Sequence, residues 1–332
     1  MNRSLYIFLL KILVLAVLLI GVYLGFARQI TKTFVSDDYA KFTHQTPSLV
    51  LGLSRAHYAM DPYTIGAELE DVNYQGPFQN FAFEKSQSPY GEVYLRAVLE
   101  KIPDHTLKGI FILGVSPGSF SASNRLKTPE DIHEFDSKTM VGKMTEFNAH
   151  PNLEFVRKCF GRSLYKGVFP HDHRISTVFH ENGWEEFRLE APGYTITQSD
   201  INYWQEETVE GYTRLAAVIP EHVSSYRLEW FGKTIDSLQK RGLVFLVRIP
   251  MHEGVLALED GAWPSFDREM DSIARLRSVP YFNYRDRTED FETYDGSHLH
   301  SESAVSFSKD VAQKIRDHIV QRALVQYYDP ED

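Results

Sequence analysis

The chain opens on one long apolar run. From Leu5 to Phe26 it reads LYIFLLKILVLAVLLIGVYLGF, interrupted only by Lys11. About 20 apolar residues in a helix cover the roughly 30 Å hydrocarbon core of a bilayer. No face of this helix is polar, which sets it apart from an amphipathic helix packed on a soluble core. Lys11 lies near one end, where a long stem carries its charge to the headgroups. Tyr6, Tyr23 and Phe26 suit the interfaces. A cleaved signal peptide is the rival reading, but Gly25, Phe26 and Ala27 make a poor small-residue cleavage site. The pattern predicts an uncleaved anchor over residues 1–27, a polar connector over 28–46, and one domain over 47–325.

Past the connector, short dense apolar runs alternate with longer amphipathic ones. Ser48–Ser54 (SLVLGLS) reads as a strand buried on both faces that runs into a turn. Tyr90–Ile102 has helical spacing, and Pro103 ends it. Lys108–Phe120 (KGIFILGVSPGSF) is a second buried strand, closed by Gly and Pro. Ser225–Gly242 reads as an amphipathic helix with a glycine stop, and Leu243–His252 (LVFLVRIPMH) as a third strand. Phe266–Val279 reads as a helix, Pro280–Asp286 as a short fourth strand, and a last helix runs from Ser301 to about Leu324. Residues 121–215 lack such periodicity and are rich in Tyr, His, Trp and Asn. They are expected to form an irregular insertion, serving as a lid or substrate region, with Trp184, Tyr194, Tyr203 and Trp204 offering faces for sugar rings or for core packing. Strands alternating with helices predict a single α/β domain: a flavodoxin-like, three-layer α/β/α arrangement around a parallel sheet.

Composition narrows the function classes. A formal net charge of -10 argues against a nucleic-acid binder, which would show a basic face. Cys159 is the only cysteine, so an intrachain disulfide and a Cys-rich metal site are both excluded. Arg3 and Lys11 precede the apolar core while Arg28 and Lys32 follow it, so loop charge says little about orientation. A short anchor ahead of a large polar remainder favours export of that remainder. The expected protein crosses the cytoplasmic membrane once, with the bilayer as its first partner and its domain outside.

The candidate chemistry lies at strand ends, where reactive groups gather in parallel α/β sheets. Ser54 ends the first strand, Ser116 the second, and Asp295 and His298 sit in a loop after the fourth. Serine is a weak nucleophile unless a histidine takes its proton, and a carboxylate fixes that histidine's tautomer. Each residue also has a plain structural use: Ser54 as a helix cap, Asp295 as a turn former beside Gly296, His298 as a helix-entry residue. Arg248, at the end of a buried strand, needs an anionic partner, either a substrate group or a structural ion pair. His171, Asp172 and His173 (FPHDHR) have metal-ligand character but no clear third ligand, and no metal or other cofactor is expected.

Two stretches carry a family likeness. Leu49–His57 (LVLGLSRAH) resembles the first block of SGNH (GDSL-like) hydrolases, in which a serine follows the first strand. Tyr294–Val311 (YDGSHLHSESAVSFSKDV) resembles their last block, Asp-x-x-His followed by a helix. The likeness is closest to membrane-anchored members of bacterial envelopes that O-acylate polysaccharides or transfer D-alanyl groups. It implies Ser54 as nucleophile, His298 as base and then acid, and Asp295 as its orienter. It further implies an acyl ester on an envelope glycan as substrate, and a membrane-bound acyl-donor protein as partner. The departures concern the oxyanion. Where the family has a Gly in its second block, Gln79–Ser86 (QNFAFEKS) offers Asn80 and Ala82, with Ala82 nearest that role. Where the third block has Gly-x-Asn, Gly114–Pro117 (GVSP) offers Ser116. The Ser54 N–H remains a further donor. A non-catalytic glycan-binding or assembly subunit is the alternative that these departures favour.

Overall fold

Five apolar stretches pair into one parallel sheet: β1 (Ser48–Leu51), β2 (Phe78–Asn80), β3 (Gly109–Val115), β4 (Gly242–Arg248) and β5 (Tyr281–Asn283). The computed structural model describes residues 3–33, 38–84, 86–159, 161 and 176–328. The strand order is β5-β4-β3-β1-β2, the 2-1-3-4-5 arrangement of flavodoxin-like sheets. Register is set by apolar partners such as Leu49 against Phe111 and Phe245 against Ile112. β2 was not predicted: it is three residues long, and two of them, Gln79 and Asn80, are polar yet fully buried.

Besides three short helices within residues 129–158, the α-helices among the described residues are, in chain order, α1 (Arg3–Thr33), α2 (Ser54–Ala59), α3 (Pro62–Glu68), α4 (Glu92–Lys101), α5 (Gln198–Val218), α6 (Ser225–Leu238), α7 (Glu253–Ala262), α8 (Phe266–Leu276) and α9 (Ser301–Tyr328). Alternate strand residues divide the core in two, because successive side chains leave opposite faces of a strand. Leu49, Leu51, Phe111, Leu113 and Leu246 pack with α4, α6 and α8. Val50, Ile110, Ile112, Phe245 and Val247 pack with α2, α3 and α9. The domain is therefore the three-layer α/β/α form with a parallel sheet.

α1 is long and apolar enough over Arg3–Ile30 to cross a membrane, and its most apolar stretch is unburied. Part of the expected connector lies in the core instead. Tyr39 and Phe42 are buried against Phe155, and the Lys41 ammonium donates to the Ala82 carbonyl. The expected irregular insertion also contains regular structure. It holds the short helix Pro129–Ser137, the antiparallel pair Thr177–Phe179 with Glu185–Phe187, a smaller pair Glu190–Ala191 with Tyr194–Thr195, and α5. These elements are short or solvated on most faces, so their periodicity is weak. Trp184 proves to be core: it is buried, stacks on His180, and donates its indole N–H to the Tyr58 carbonyl.

Gly52 steers the chain off β1. Its φ of 137° suits glycine, and a Cβ there would stand 3.0 Å from both the Ala56 Cβ and the Gly114 carbonyl oxygen. The turn delivers Ser54 to the carboxyl edge at the opening of α2. Gly52→Ala is expected to destabilise the domain by about 1–3 kcal/mol, read as a lower Tm in thermal unfolding of the full chain in detergent. A Tm equal to the parent's would show that the turn accepts a side chain.

Candidate active site

Residues 293–299 form a closed loop. Thr293 bridges Leu299, the Tyr294 N–H donates to the His298 carbonyl at 3.0 Å, and Gly296 turns the corner at φ 87°. One carboxylate organises this loop. Asp295 Oδ1 accepts the N–H groups of Ser297 (2.9 Å) and His298 (2.8 Å), and Oδ2 lies 2.8 Å from His298 Nδ1. With Nδ1–H donating to the carboxylate, Nε2 is the acceptor, and it lies 2.9 Å from Ser54 Oγ. The structure thus brings Ser54, His298 and Asp295 into one hydrogen-bonded chain across a gap of 244 positions. Chemically, this arrangement can take the hydroxyl proton as the serine attacks and hold the imidazolium that results.

The electrostatics match that use. Burial disfavours a charged His298, but the Asp295 carboxylate outweighs it and raises the pKa above the ordinary histidine value. Burial would raise Asp295, yet the His298 charge and three hydrogen bonds hold it below the usual carboxylate range. Next to the nucleophile, Arg55 Nε donates to the buried Ser297 Oγ at 3.1 Å, and Arg55 Nη1 reaches Glu259 at 2.7 Å. Tyr212 of α5 donates to the same Ser297 Oγ at 3.1 Å, and the Gln205 amide donates to the Thr293 carbonyl at 3.1 Å. The His298 ring forms a triangle with Tyr58, 4.8 Å away, and Tyr294, 6.1 Å away, whose own rings are 6.1 Å apart. Tyr58 in turn donates to the buried Glu185 at 2.7 Å.

The expected substrate-side residues are placed differently. The Asn80 amide donates to three carbonyls, Ala56, His57 and Met60, and so caps the C-terminal end of α2. Its carbonyl oxygen accepts the Ala82 N–H at 3.1 Å. Both residues are fully buried and committed to each other and to α2, which corrects the expectation that either faces an oxyanion. Ser116 is half-buried at the end of β3, and its N–H and hydroxyl both pair with the Ser119 hydroxyl at 3.2 Å. The Ser54 N–H, in the first turn of α2, has no acceptor among the described residues and is the available donor. Arg248 is engaged within the fold. Its guanidinium is buried, 2.6 Å from Glu259 and 3.5 Å from Asp267, the ion-pair alternative. His171, Asp172 and His173 lie outside the described residues. Among the described residues, no cluster of three His, Cys, Asp or Glu side chains is arranged to hold a metal ion.

Several neighbours of the site were not expected. Arg55 adjoins Ser54 and Tyr58 lies four residues on, so helical spacing places both beside the nucleophile. Glu185 and Tyr212 carry no such signal, because their contacts depend on how the insertion folds back.

No family model matches the sequence, and no curated protein does. Solved structures that share a distant likeness include the following two. One is an inhibitor-bound aryl esterase of M. smegmatis, 11% identical, and the other is Est24, a carbohydrate acetylesterase from Sinorhizobium meliloti, 12% identical. Each likeness covers 81% of this chain and 99% of the other, with a TM-score of 0.33. Similarity at that level carries no argument about this chain, and the site stands on its own geometry.

The balance at His298 makes a pH prediction. In the wild type its imidazole titrates above about 6.5. Asp295→Asn removes the charge that raises it and leaves burial, which lowers it, so the titration moves to lower pH. NMR of protein labelled at histidine Cε1 reads both values. An unmoved His298 titration in the variant would show that Asp295 does not hold the imidazolium.

Proposed function

We propose that this chain is a membrane-anchored serine acyl-ester transferase or esterase acting on a cell-envelope glycan outside the cytoplasmic membrane. The observation that carries the reading is the Ser54–His298–Asp295 chain, with 2.9 Å and 2.8 Å contacts at the carboxyl edge of the sheet. Ser54 Oγ attacks the ester carbonyl while His298 Nε2 takes its proton. The Ser54 N–H meets the developing oxyanion. The intermediate collapses, His298 returns the proton to the departing alcohol, and acyl-Ser54 remains. A second hydroxyl then attacks, with His298 again as base. Water makes the protein an esterase, and a glycan hydroxyl makes it a transferase. In the transferase case, a membrane-bound acyl-donor protein is the partner that loads Ser54. The apolar α1 supports an anchored domain, and the Ser–His–Asp chain needs no cofactor.

A second reading has one observation in its favour. The Ala82 N–H and the Asn80 side chain are committed within the fold, which leaves the Ser54 N–H, among the expected donors, to meet an oxyanion. Losing a donor lowers kcat about 10²–10³-fold. A non-catalytic glycan-binding or assembly subunit would tolerate the loss of such a donor.

A serine-directed fluorophosphonate separates the two. The wild-type full chain is expected to label, and Ser54→Ala to abolish both labelling and turnover of an acetyl ester. His298→Ala lowers turnover by about 10⁶-fold and Asp295→Asn by about 10⁴-fold, since the second disturbs the tautomer and leaves the base in place. All three variants keep their fold by circular dichroism. An unlabelled wild type favours the subunit reading, and labelling that survives Ser54→Ala moves the nucleophile elsewhere, with Ser116 the first to test. For orientation, a reporter fused at the C-terminal end is expected to read as outside the cytoplasm. Activity of a cytoplasm-only reporter reverses the topology.

A further inference from the structure

The insertion lines an open cavity of about 630 Å³ that reaches Asp295. This lies within the roughly 300–1,000 Å³ common for small-molecule sites. Four of its walls are aromatic: Phe187 and Tyr194 from the two antiparallel pairs, Trp204 from α5, and Tyr294 from the loop that carries Asp295. Among the described residues, Ile196 is the one aliphatic side chain on its lining. Glu207 and Thr208 follow Trp204 at three and four residues, on the same face of α5, and both line the cavity. Ser176 and Thr177 add hydroxyls from another side.

This composition selects a ligand class. A pyranose ring has C–H bonds on its faces and hydroxyls around its rim. Aromatic faces, which are electron-rich, attract the C–H groups. Serine, threonine and glutamate at the edges meet the hydroxyls. A fatty acyl chain calls for an aliphatic lining, which one isoleucine does not provide. An anionic sugar would meet the Glu207 and Asp295 carboxylates, with no lysine or arginine on the described lining to balance it.

The cavity also has a definite relation to the reactive pair. Tyr294 stacks on Phe187 at 3.6 Å and lies 6.1 Å from His298, so one ring links the aromatic wall of the cavity to the surroundings of the imidazole. Asp295 meets the Nδ1 side of the imidazole, and Ser54 meets the Nε2 side. A sugar in the cavity therefore approaches from the side away from the serine. We propose that this cavity is a subsite for a neutral oligosaccharide, which holds the sugar unit next to the one whose ester reacts at Ser54. The reacting ester is taken from the proposed function, while the sugar binding rests on the cavity alone.

The test uses the full chain carrying Ser54→Ala, in a detergent without a sugar headgroup, since a glycosidic detergent would compete. Calorimetric titrations employ neutral tetrasaccharides of glucose, mannose, galactose and N-acetylglucosamine, with tetragalacturonate as the anionic counterpart. At least one neutral probe is expected to bind, and tetragalacturonate to bind at least tenfold more weakly. Trp204→Ala and Tyr194→Ala are each expected to weaken binding at least tenfold, and Trp204→Phe to retain most of it. Tyr203→Ala should change nothing, because Tyr203 is 59% exposed on α5 and does not line the cavity. With Ser54 intact, Trp204→Ala should raise KM for an acetylated oligosaccharide. Binding by none of the four neutral probes overturns the proposal. So does binding that is indifferent to both Trp204→Ala and Tyr194→Ala, or a preference for tetragalacturonate. Sugar binding by a chain whose Ser54 never labels upholds the subsite and overturns the ester chemistry. Labelling without sugar binding does the reverse.

Discussion

The parallel pairing of β1 between β2 and β3 is the constraint from which the site follows. Parallel strands are joined by crossovers that lie on the sheet faces, so every strand delivers its carboxyl end to one edge. The order reverses between β1 and β3. After β1 the chain enters α2, which packs in the core on one face, and after β3 it proceeds to α6, which packs on the other. A crevice opens where the two paths diverge, and ligands of doubly wound sheets bind there. Gly52 places Ser54 at that point. The crossover from β5 to α9 brings Asp295 and His298 to the same edge. Asn80, at the end of β2, holds α2 in place from the side by donating to three carbonyls.

A second requirement is electrostatic. An aspartate and a histidine held away from water are unfavourable unless hydrogen bonds satisfy them, and removing one member of such a pair commonly costs about 3–5 kcal/mol. Here the Asp295 carboxylate accepts two backbone N–H groups and the imidazole N–H. Arg55, one residue past the nucleophile, is balanced by Glu259, which also receives Arg248. Burial works against the ionised Glu259, but the two guanidinium groups hold its pKa below the usual value. Arg248 thus serves the site indirectly: it anchors the carboxylate that anchors Arg55, and Arg55 reaches the Ser297 hydroxyl inside the acid-bearing loop.

What could be seen in the sequence was whatever local pattern encodes. β1, β3 and β4 are dense apolar runs, because both faces of a parallel strand are buried. The Asp295–His298 spacing lies within one loop, so its closeness needed no tertiary knowledge. The proximity of Ser54 followed from the rule that strand ends converge. The failures share one cause. Asn80 and Ala82 were assigned by their place in a motif, while the Asn80 partners are set by how α2 meets β2, across 20 to 24 positions, and the Ala82 N–H is taken by Asn80 in turn. Arg248 could be known to need an anion, but not that Glu259, one helix later, would supply it. Tyr39 and Phe42 were read as connector because three polar-looking turns surround two rings, yet Phe155 and Phe147 come from far along the chain to bury them. The elements within residues 121–215 are mostly short, and α5 buries only Ile201, so hydrophobic periodicity had little to register there.

α5 joins the insertion to the reactive loop. Gln205 and Tyr212 lie seven residues apart, nearly two helical turns, so both face the loop and both donate to it. Trp204 and Thr208 lie four residues apart on the adjoining face and line the cavity. One rigid helix therefore presents one face to the acid-bearing loop and the next to the cavity. The bonds that fix α5 against Thr293 and Ser297 also fix the orientation of Trp204. Any shift of the helix that opened the cavity would stretch the Tyr212–Ser297 contact, and Ser297 is held on its other side by Arg55 beside the nucleophile. Cavity shape and the position of His298 relative to Ser54 are thus set by one connected group of hydrogen bonds, which is the physical reason an insertion so far from the sheet's centre belongs to the site.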